Sequence, residues 1–454
     1  MLTLIVVAVL GVLVMVSPIL RLQKSLGFLV RAGLLLAFGC LFVDVAIPSF
    51  GMLDFDAYAK ALSGLLLGLT FLVALYLPAY HREPSSRLSD YYALLLFSSV
   101  GALLMVSFSH VVMLFLGIEI LSIPLYVLAA SRIGDASSQE ASLKYFLLGS
   151  FASGILLFGM ALMYAGCGYL TLPEIGHFMG SHVGNMPTPL LAGLLLVCVG
   201  LFFKAGVMPF HFWVPDVYEG TPTVYTTFMA SVAKVAAFGA LLRLLMYTGT
   251  AGVAYWGVLV ICVAVLSMVV GNLIALQQTS VKRLLAYSSI AHAGYLLLTV
   301  LAVGTAAIQA FFVYALAYGL ASIGSLLVVG LREDERGNVS LKGLAKQSPL
   351  LAGVLITSVF SLAGIPPFGG FFGKYGVFAS AIQAGYVGVV LAAVLASIVG
   401  AVYYLRLLPA IFVSDDASEP MVLPLAVRVL AVIIIIGNLA VGAFSGVILA
   451  FWGI

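Results

Sequence analysis

Residues 189–213 read PLLAGLLLVCVGLFFKAGVMPFHFW, an apolar run of bilayer-spanning length with a lysine and a proline in its second half. A charge at mid-bilayer depth costs roughly 2.5–3.5 kcal/mol on insertion scales, so it is retained mainly where it faces a protein interior or a wet cavity. Pro209 removes a backbone donor and clashes with the preceding turn. The stretch therefore predicts a broken membrane-spanning helix with a buried charge, Lys204, at the break.

The composition of the whole chain agrees with a membrane location. Of its 454 residues, 63% are hydrophobic and only 8% are charged, and the mean hydropathy is +1.21. Soluble domains carry about 25% charged residues, so this chain cannot cover a globule with polar surface. We expect an all-α polytopic membrane protein. The net charge of +3, without a basic run, gives no reason to expect a nucleic-acid partner.

Apolar runs of spanning length recur along the chain and predict about fourteen membrane helices. They lie near residues 2–20, 27–47, 58–79, 91–109, 111–131, 142–165, 189–213, 222–247, 254–276, 282–303, 306–331, 350–384, 386–411 and 425–452. The first run has no basic segment before it, so we expect a spanning helix there and not a cleaved signal peptide.

Positive charges occur in alternate loops. These loops hold Arg21, Lys24, Arg82, Arg87, Arg132, Lys282, Arg283, Arg332, Arg336, Lys342, Lys346 and Arg406, whereas the intervening loops hold neither Lys nor Arg. Because cytoplasmic loops carry an excess of Lys and Arg, we expect both termini on the non-cytoplasmic side. Complete amino-terminal helices favour a bacterial plasma membrane over an organelle. Arg243, toward the outer end of its helix, is expected to extend to the membrane surface.

A second broken helix is predicted further along the chain. Residues 362–370 read LAGIPPFGG, and Lys374 follows them. Paired Gly/Pro-interrupted helices in the two halves of a transporter indicate inverted repeats. We expect two inverted five-helix repeats, each with a broken helix, at residues 91–247 and 254–411. Residues 1–90 would form a three-helix segment, and residues 425–454 a final helix.

Titratable side chains recur at similar depth in the predicted helices. At a rise of 1.5 Å per residue, four of them fall near the middle of a roughly 30 Å core: Glu119, Lys204, Lys234 and His292. Lys374 falls nearer the outer side, and Lys144 lies near the inner end of its helix. Lysine can lose its proton when it is desolvated, whereas arginine effectively cannot. This row of side chains therefore predicts a proton path.

Three longer motifs, within residues 90–410, resemble the antiporter-like subunits of respiratory complex I. They are FK at 203–204 with PFHFWVPDVYEGTP at 209–222 and SVAK at 231–234, SVKRLLAYSSIAHAGY at 280–295, and SLAGIPP at 361–367. Within that family, three features resemble the N type. They are PDVYEG at 215–220, the lysine after the second break, and an end after the fourteenth helix without a lateral extension.

The resemblance implies a role for each buried side chain. Glu119 matches the essential Glu of the fifth helix, Lys204 and Lys234 match lysines of the seventh and eighth, and Lys374 matches that of the broken twelfth. His292 matches the His that links the two halves.

The matches imply one further role, and the electrostatics of a buried pair implies another. Lys144 corresponds to a sixth-helix lysine of the N type. Glu119 and Lys204 would form a switch, because a nearby carboxylate favours the protonated amine, which can release its proton when the pair opens. Protons would pass from the cytoplasm to Lys234, past His292 to Lys374, and out.

The resemblance also implies partners and cofactors. The chain would be a membrane-arm subunit of NADH–quinone oxidoreductase, beside other antiporter-like and small membrane subunits, in the lipid bilayer. Its sequence has no Gly-rich phosphate loop, haem motif or iron–sulfur spacing, and its four cysteines are far apart. We expect no cofactor or metal on this chain, and expect flavin, iron–sulfur clusters and quinone on partner subunits.

Other functions use the same fold. One is a subunit of a multi-subunit sodium/proton antiporter, which has no redox partner, and the N-type motif argues against it. Another is a related complex in which hydrogenase, F420 or ferredoxin modules replace NADH oxidation, and its proton path would be the same. A membrane scaffold without transport would leave the row of buried charges unexplained.

Overall fold

A computed structural model describes residues 1–21, 25–43, 50–81, 87–334, 337–413 and 420–454. Within these ranges the chain is helical, and its few β-bridges are isolated contacts between loops. Eleven helices of the described ranges are long and apolar enough to cross a membrane. The expected all-helical membrane fold is confirmed.

The helices follow one another with short connections. They are α1 (Leu2–Val16), α2 (Leu26–Gly39), α3 (Ala57–Tyr80), α4 (Leu88–Ser107), α5 (Val111–Ala129), α6 (Ala136–Cys167), α7 (Leu172–Ser181), α8 (Thr188–Ala205), α9 (Trp213–Gly220), α10 (Thr223–Phe228), α11 (Lys234–Tyr247), α12 (Gly249–Gln277), α13 (Val281–Leu301), α14 (Thr305–Leu331), α15 (Leu344–Gln347), α16 (Pro349–Ala363), α17 (Gly369–Gln383), α18 (Val387–Phe412) and α19 (Leu425–Trp452).

The predicted spans correspond to these helices. A π-helical turn, Met229–Ala233, joins α10 and α11 into one span. With α1, α2 and the pair α16–α17 each taken as one span, the described ranges contain the fourteen that the sequence predicts. Most ends agree within the few residues by which helix boundaries vary, although α6 begins at Ala136, earlier than predicted. The short helices α7, α9 and α15 were not predicted.

Two clusters of polar contacts lie at opposite ends of α3: Asp56 caps its first turn, and Tyr80, its last residue, hydrogen-bonds Glu333. Arg132, Lys282 and Glu333 meet at one end, which we call the inner end. Asp56, Phe108 and Arg243 meet at the other. Which end faces the cytoplasm stays a prediction, and three of the charges that carry it lie outside the described residues: Lys24, Arg82 and Arg336.

The prediction for Arg243 is wrong. Its side chain is only 2% exposed, and its guanidinium donates to both carboxylate oxygens of Asp56 at 3.1 Å and to the carbonyl of Phe108 at 2.7 Å. Asp56 also caps α3 by accepting a hydrogen bond from the Ala59 amide. A charge-assisted hydrogen bond to a nearby carboxylate replaces the water that an extended arginine would reach. Arg243 thereby ties α3, α4 and α11 together.

Both predicted helix breaks are present, and they are built alike. Gly206 caps the end of α8 and Gly364 caps the end of α16, with φ of 71° and 83°. In each case the glycine amide and the next amide donate to one carbonyl, that of Phe202 or Phe360. Glycine permits this left-handed cap because it has no Cβ. The shared geometry supports a pair of repeats, whose bounds stay a prediction.

Candidate proton-transfer site

Lys204 lies in the last turn of α8, directly before the first break. Its Nζ is buried and donates to Ser122 Oγ at 2.7 Å and to Tyr145 Oη at 2.8 Å. The amine also lies 5.0 Å from the centre of the Tyr145 ring. The carboxyl-terminal end of a helix stabilises a nearby cation. The break therefore holds the amine among neutral hydroxyl groups at the carboxyl-terminal end of α8.

Glu119 and Lys204, both among the described residues, do not form an ion pair in this structure. Glu119 is half-buried on α5 and accepts a hydrogen bond from Ser153 Oγ of α6. Ser153, Ser122 and Lys204 line one small cavity. Ser153, the partner of Glu119, and Ser122, the partner of Lys204, therefore face the same cavity, and the pairing of the two charges as a switch stays a prediction.

Lys234 is the first residue after the π-helical turn of the α10–α11 span. Such turns are frequent at functional sites. Its Nζ donates to the carbonyl of Ser289 at 2.7 Å and to Ser289 Oγ at 2.9 Å. Because Ser289 belongs to α13, Lys234 makes its hydrogen bonds with the half of the chain that contains His292.

His292 is buried on α13 between two tyrosines. Its Nδ1 lies 2.7 Å from Tyr314 Oη of α14, and its Nε2 lies 3.0 Å from Tyr404 Oη of α18. The hydroxyl of Tyr404 also hydrogen-bonds Ser288 Oγ. A neutral imidazole donates from one nitrogen and accepts at the other. His292 can therefore pass a proton between two hydroxyl groups without leaving its place.

A small cavity lies beside Ser289, the hydrogen-bond partner of Lys234. It is lined by Ser288 and Ser289 of α13, by Tyr318 and Ser322 of α14, and by Tyr218 of α9. The hydroxyl groups of Tyr218 and Tyr318 are buried and have no protein partner.

Lys374 lies on α17, after the second break. Its Nζ donates to the carbonyls of Leu362 and Ala363 at 3.0 and 3.1 Å, and to Ser397 Oγ at 2.9 Å. These carbonyls belong to the last turn of α16 and have no partner in their own helix. Lys204 precedes its break and Lys374 follows its break. Both breaks nevertheless place an ammonium group at the carboxyl-terminal end of the first half-helix.

Lys144 lies apart from this row, at the inner end of α6. Its side chain is 41% exposed, and its Nζ lies 2.7 Å from both Glu140 Oε1 and Asp216 Oδ2. Arg283 pairs with Asp216 at 3.0 Å and with Glu219 at 2.9 Å. Burial alone would raise the pKa of Asp216, but hydrogen bonds and charge from Lys144 and Arg283 hold it below its usual value. Asp216 is therefore ionised at neutral pH.

Hydroxyl groups occupy the spaces between the predicted charges, and the sequence analysis missed them. Tyr145, Ser289, Tyr404 and Ser397 each bind one of the predicted side chains. The chain has 21 tyrosines, and nothing in the local sequence distinguishes Tyr404 from the others. Which hydroxyl groups bind the predicted side chains depends on helix packing, which the local sequence pattern does not reveal.

The four cysteines are free, and Cys262 is exposed on α12. Among the residues that the structure describes, no three His, Cys, Asp or Glu side chains form a group that could hold a metal ion. The expectations for cofactors stay predictions.

Comparison with known sequences identifies the family. The family described as NADH:quinone oxidoreductase/Mrp antiporter, transmembrane, matches residues 109–400. NADH-quinone oxidoreductase subunit N of Flavobacterium johnsoniae is 39% identical over 462 residues, which cover 98% of this chain and 99% of the relative. The likeness therefore extends over nearly the whole length of both proteins.

Comparison with solved structures agrees. A chain of respiratory complex I from Thermus thermophilus with bound aureothin is 34% identical and has a TM-score of 0.85, covering 99% of this chain and 98% of that one. A chain of the Mrp complex from Dietzia sp. has the same TM-score at 23% identity, and the match covers 99% of this chain and 94% of that one. At this low identity the likeness shows a shared fold alone. This chain belongs to the subunit N family of NADH–quinone oxidoreductase.

Proposed function

We propose that this chain is a proton-translocating subunit in the membrane arm of an NADH–quinone oxidoreductase. One observation carries the proposal: a row of titratable side chains crosses the middle of the bundle, each hydrogen-bonded to hydroxyl or carbonyl groups. The row consists of Glu119, Lys204, Lys234, His292 and Lys374. Charges at membrane depth face a protein interior or a cavity, and there they commonly mark a transport path.

The first part of the path would be controlled by Glu119. In this structure Lys204 has neutral partners, and Glu119 is held by Ser153 across a small cavity. Approach of the carboxylate would stabilise the protonated amine, and its withdrawal would favour release of the proton. A charge displaced in a neighbouring subunit could therefore set the protonation of Lys204 through Glu119.

The second part of the path would run from Lys234 to Lys374. Lys234 hydrogen-bonds Ser289, which lines one small cavity with Ser288, the partner of Tyr404. A proton released at Lys234 would cross this cavity. From there His292 transfers it to Tyr314. Lys374 would receive it and deliver it to the outer side.

Coupling to electron transfer would come from other subunits. Flavin, iron–sulfur clusters and quinone would reside there, with no redox centre on this chain. Quinone reduction would act through electrostatic changes that travel along the membrane arm. The complex would lie in a bacterial plasma membrane, with neighbouring antiporter-like and small membrane subunits as partners and both termini of this chain on the non-cytoplasmic side.

Purification of the tagged chain from native membranes in mild detergent tests this assignment. We expect flavin, iron–sulfur signals and NADH–quinone reductase activity to elute with the chain, with membranes that carry the untagged chain as the control. An eluate without flavin or iron–sulfur signals that exchanges sodium for protons in vesicles would contradict the proposal and support an antiporter. Iron–sulfur signals without NADH oxidation would indicate a different electron donor.

A further inference from the structure

The short helix α9 lies antiparallel along the first turns of α6. Three pairs of residues fasten the two helices, in opposite order along each: Gly220 with Ser137, Asp216 with Lys144, and Trp213 with Tyr145. A Cβ atom at Gly220 would lie 2.6 Å from the Ser137 carbonyl oxygen, so only glycine permits this approach. The Trp213 and Tyr145 rings stack with their centres 4.6 Å apart and their planes 14° apart.

The contacts of α9 reach Lys204 from two sides. Tyr145, on which Trp213 stacks, accepts a hydrogen bond from Lys204 Nζ at 2.8 Å. The indole Nε1 of Trp213 donates to the carbonyl of Phe203, the residue before Lys204, at 2.9 Å. A shift of α9 would therefore move both the hydroxyl partner of Lys204 and the backbone that carries it.

Lys144 is the ionic anchor of this arrangement on α6. It directly precedes Tyr145, and its Nζ binds Asp216 of α9, which Arg283 of α13 binds from the other side. Lys144 binds the carboxylates of Glu140 and Asp216, and neither of these belongs to the row of buried side chains. Its contacts are those of a fixed charge in an ionic network, not of a group within a proton path.

We propose that Lys144 is a positioning residue: its permanent charge holds α9 through Asp216, so that Trp213 keeps the Tyr145 hydroxyl against Lys204. A proton carrier must release its proton, whereas an anchor needs only charge and hydrogen-bond donors. Arginine supplies both but effectively never loses its proton. This role rests on the proposed function, because it matters only if Lys204 transfers protons.

Proton translocation per electron and its rate, measured in vesicles that contain the assembled complex, distinguish the two roles of Lys144. We expect Lys144→Ala to slow translocation about fivefold, the effect of losing an ion pair of modest strength, and Lys144→Arg to restore it. Asp216→Asn should slow translocation as Lys144→Ala does, and the double variant should be no slower, because the two residues act as one unit. Lys342→Ala, which removes an exposed lysine at the same end, is the control.

The opposite results are equally clear. If Lys144→Arg fails as Lys144→Ala does, Lys144 must titrate, and the inference is overturned. Wild-type rates in Lys144→Ala would also overturn it, because the anchor would then be dispensable. Lys204→Ala, measured alongside, isolates the proposed function: wild-type translocation in that variant would reject the Lys204 path itself, whatever the Lys144 variants do.

Discussion

Replacement of Lys204 by alanine is expected to stop proton translocation while the complex still assembles and oxidises NADH with an artificial electron acceptor. The amine lies at the first break and donates hydrogen bonds to both Ser122 and Tyr145. A positioned proton-transfer group typically contributes about 10²–10⁴-fold to the rate of its step. We therefore expect translocation through this chain to fall at least about 100-fold.

The measurement is the number of protons taken up per NADH oxidised by inverted membrane vesicles. Lys346→Ala, which removes an exposed lysine of the inner loops, controls for loss of positive charge. Dividing the proton uptake by the content of assembled complex corrects for differences in assembly between the variants. An unchanged proton-to-electron ratio in Lys204→Ala would show that protons do not pass through this site.

Replacement of Glu333 by alanine is expected to destabilise the inner end of the bundle. Glu333 Oε1 accepts from Arg132 at 3.2 Å and from Lys282 at 3.1 Å, and its Oε2 accepts from Tyr80 at 3.1 Å and from Thr223 at 2.6 Å. The Lys282 and Glu333 side chains are only 1% and 2% exposed. Removing one partner of a buried ion pair costs about 3–5 kcal/mol, because the other charge is left uncompensated.

The effect is measured by heating the purified complex and determining how much of this subunit stays bound at each temperature. Lys282→Met combined with Glu333→Ala removes both charges of the buried pair and should recover part of the loss. If the complex with Glu333→Ala alone retained this subunit up to the same temperature as the wild-type complex, the assigned role of this cluster would be contradicted.

The same cluster predicts a pH dependence. Burial alone would raise the pKa of Glu333, but the charges of Lys282 and Arg132 and the hydrogen bonds from Thr223 and Lys282 hold it below its ordinary value of 4.5. A carboxyl group whose pKa is lower in the folded state stabilises the fold above its unfolded pKa, and this contribution is lost as the pH falls through the folded value. When the pH is lowered from neutral to below about 4.5, the complex with Glu333→Gln should therefore lose less thermal stability than the wild-type complex.

The helices and their breaks could be predicted because their signals are local. A span needs only a run of apolar residues, and the left-handed cap at Gly206 and Gly364 needs a glycine at one position. The buried lysines could be found for the same reason, since a charge inside an apolar run stands out in the sequence.

The partners of those lysines could not be predicted, because they come from distant parts of the chain. Tyr404 lies 112 residues from His292 along the sequence, and Lys234 binds a serine 55 residues away. Which hydroxyl group faces which amine depends on how the helices pack. The wrong expectation for Arg243 has the same origin: Asp56, its partner, is 187 residues away.

Lys144 shows that the role of a charged residue cannot be predicted from its position in the sequence alone. Its match to a family lysine predicts a role in the proton path, but it lies near a helix end and its contacts are with Glu140 and Asp216. A sequence pattern gives the depth of a charge but not its partner, and the partner decides whether the charge can titrate.

The central claim is that Lys204 acts by binding and releasing a proton, and Lys204→Arg tests it most directly. Arginine keeps the positive charge and can donate to Ser122 and Tyr145, but it holds its proton. We predict that vesicles with the assembled Lys204→Arg complex translocate as few protons per NADH as those with Lys204→Ala. Translocation at the wild-type ratio would contradict the account, because it would show that a fixed charge at the break is sufficient.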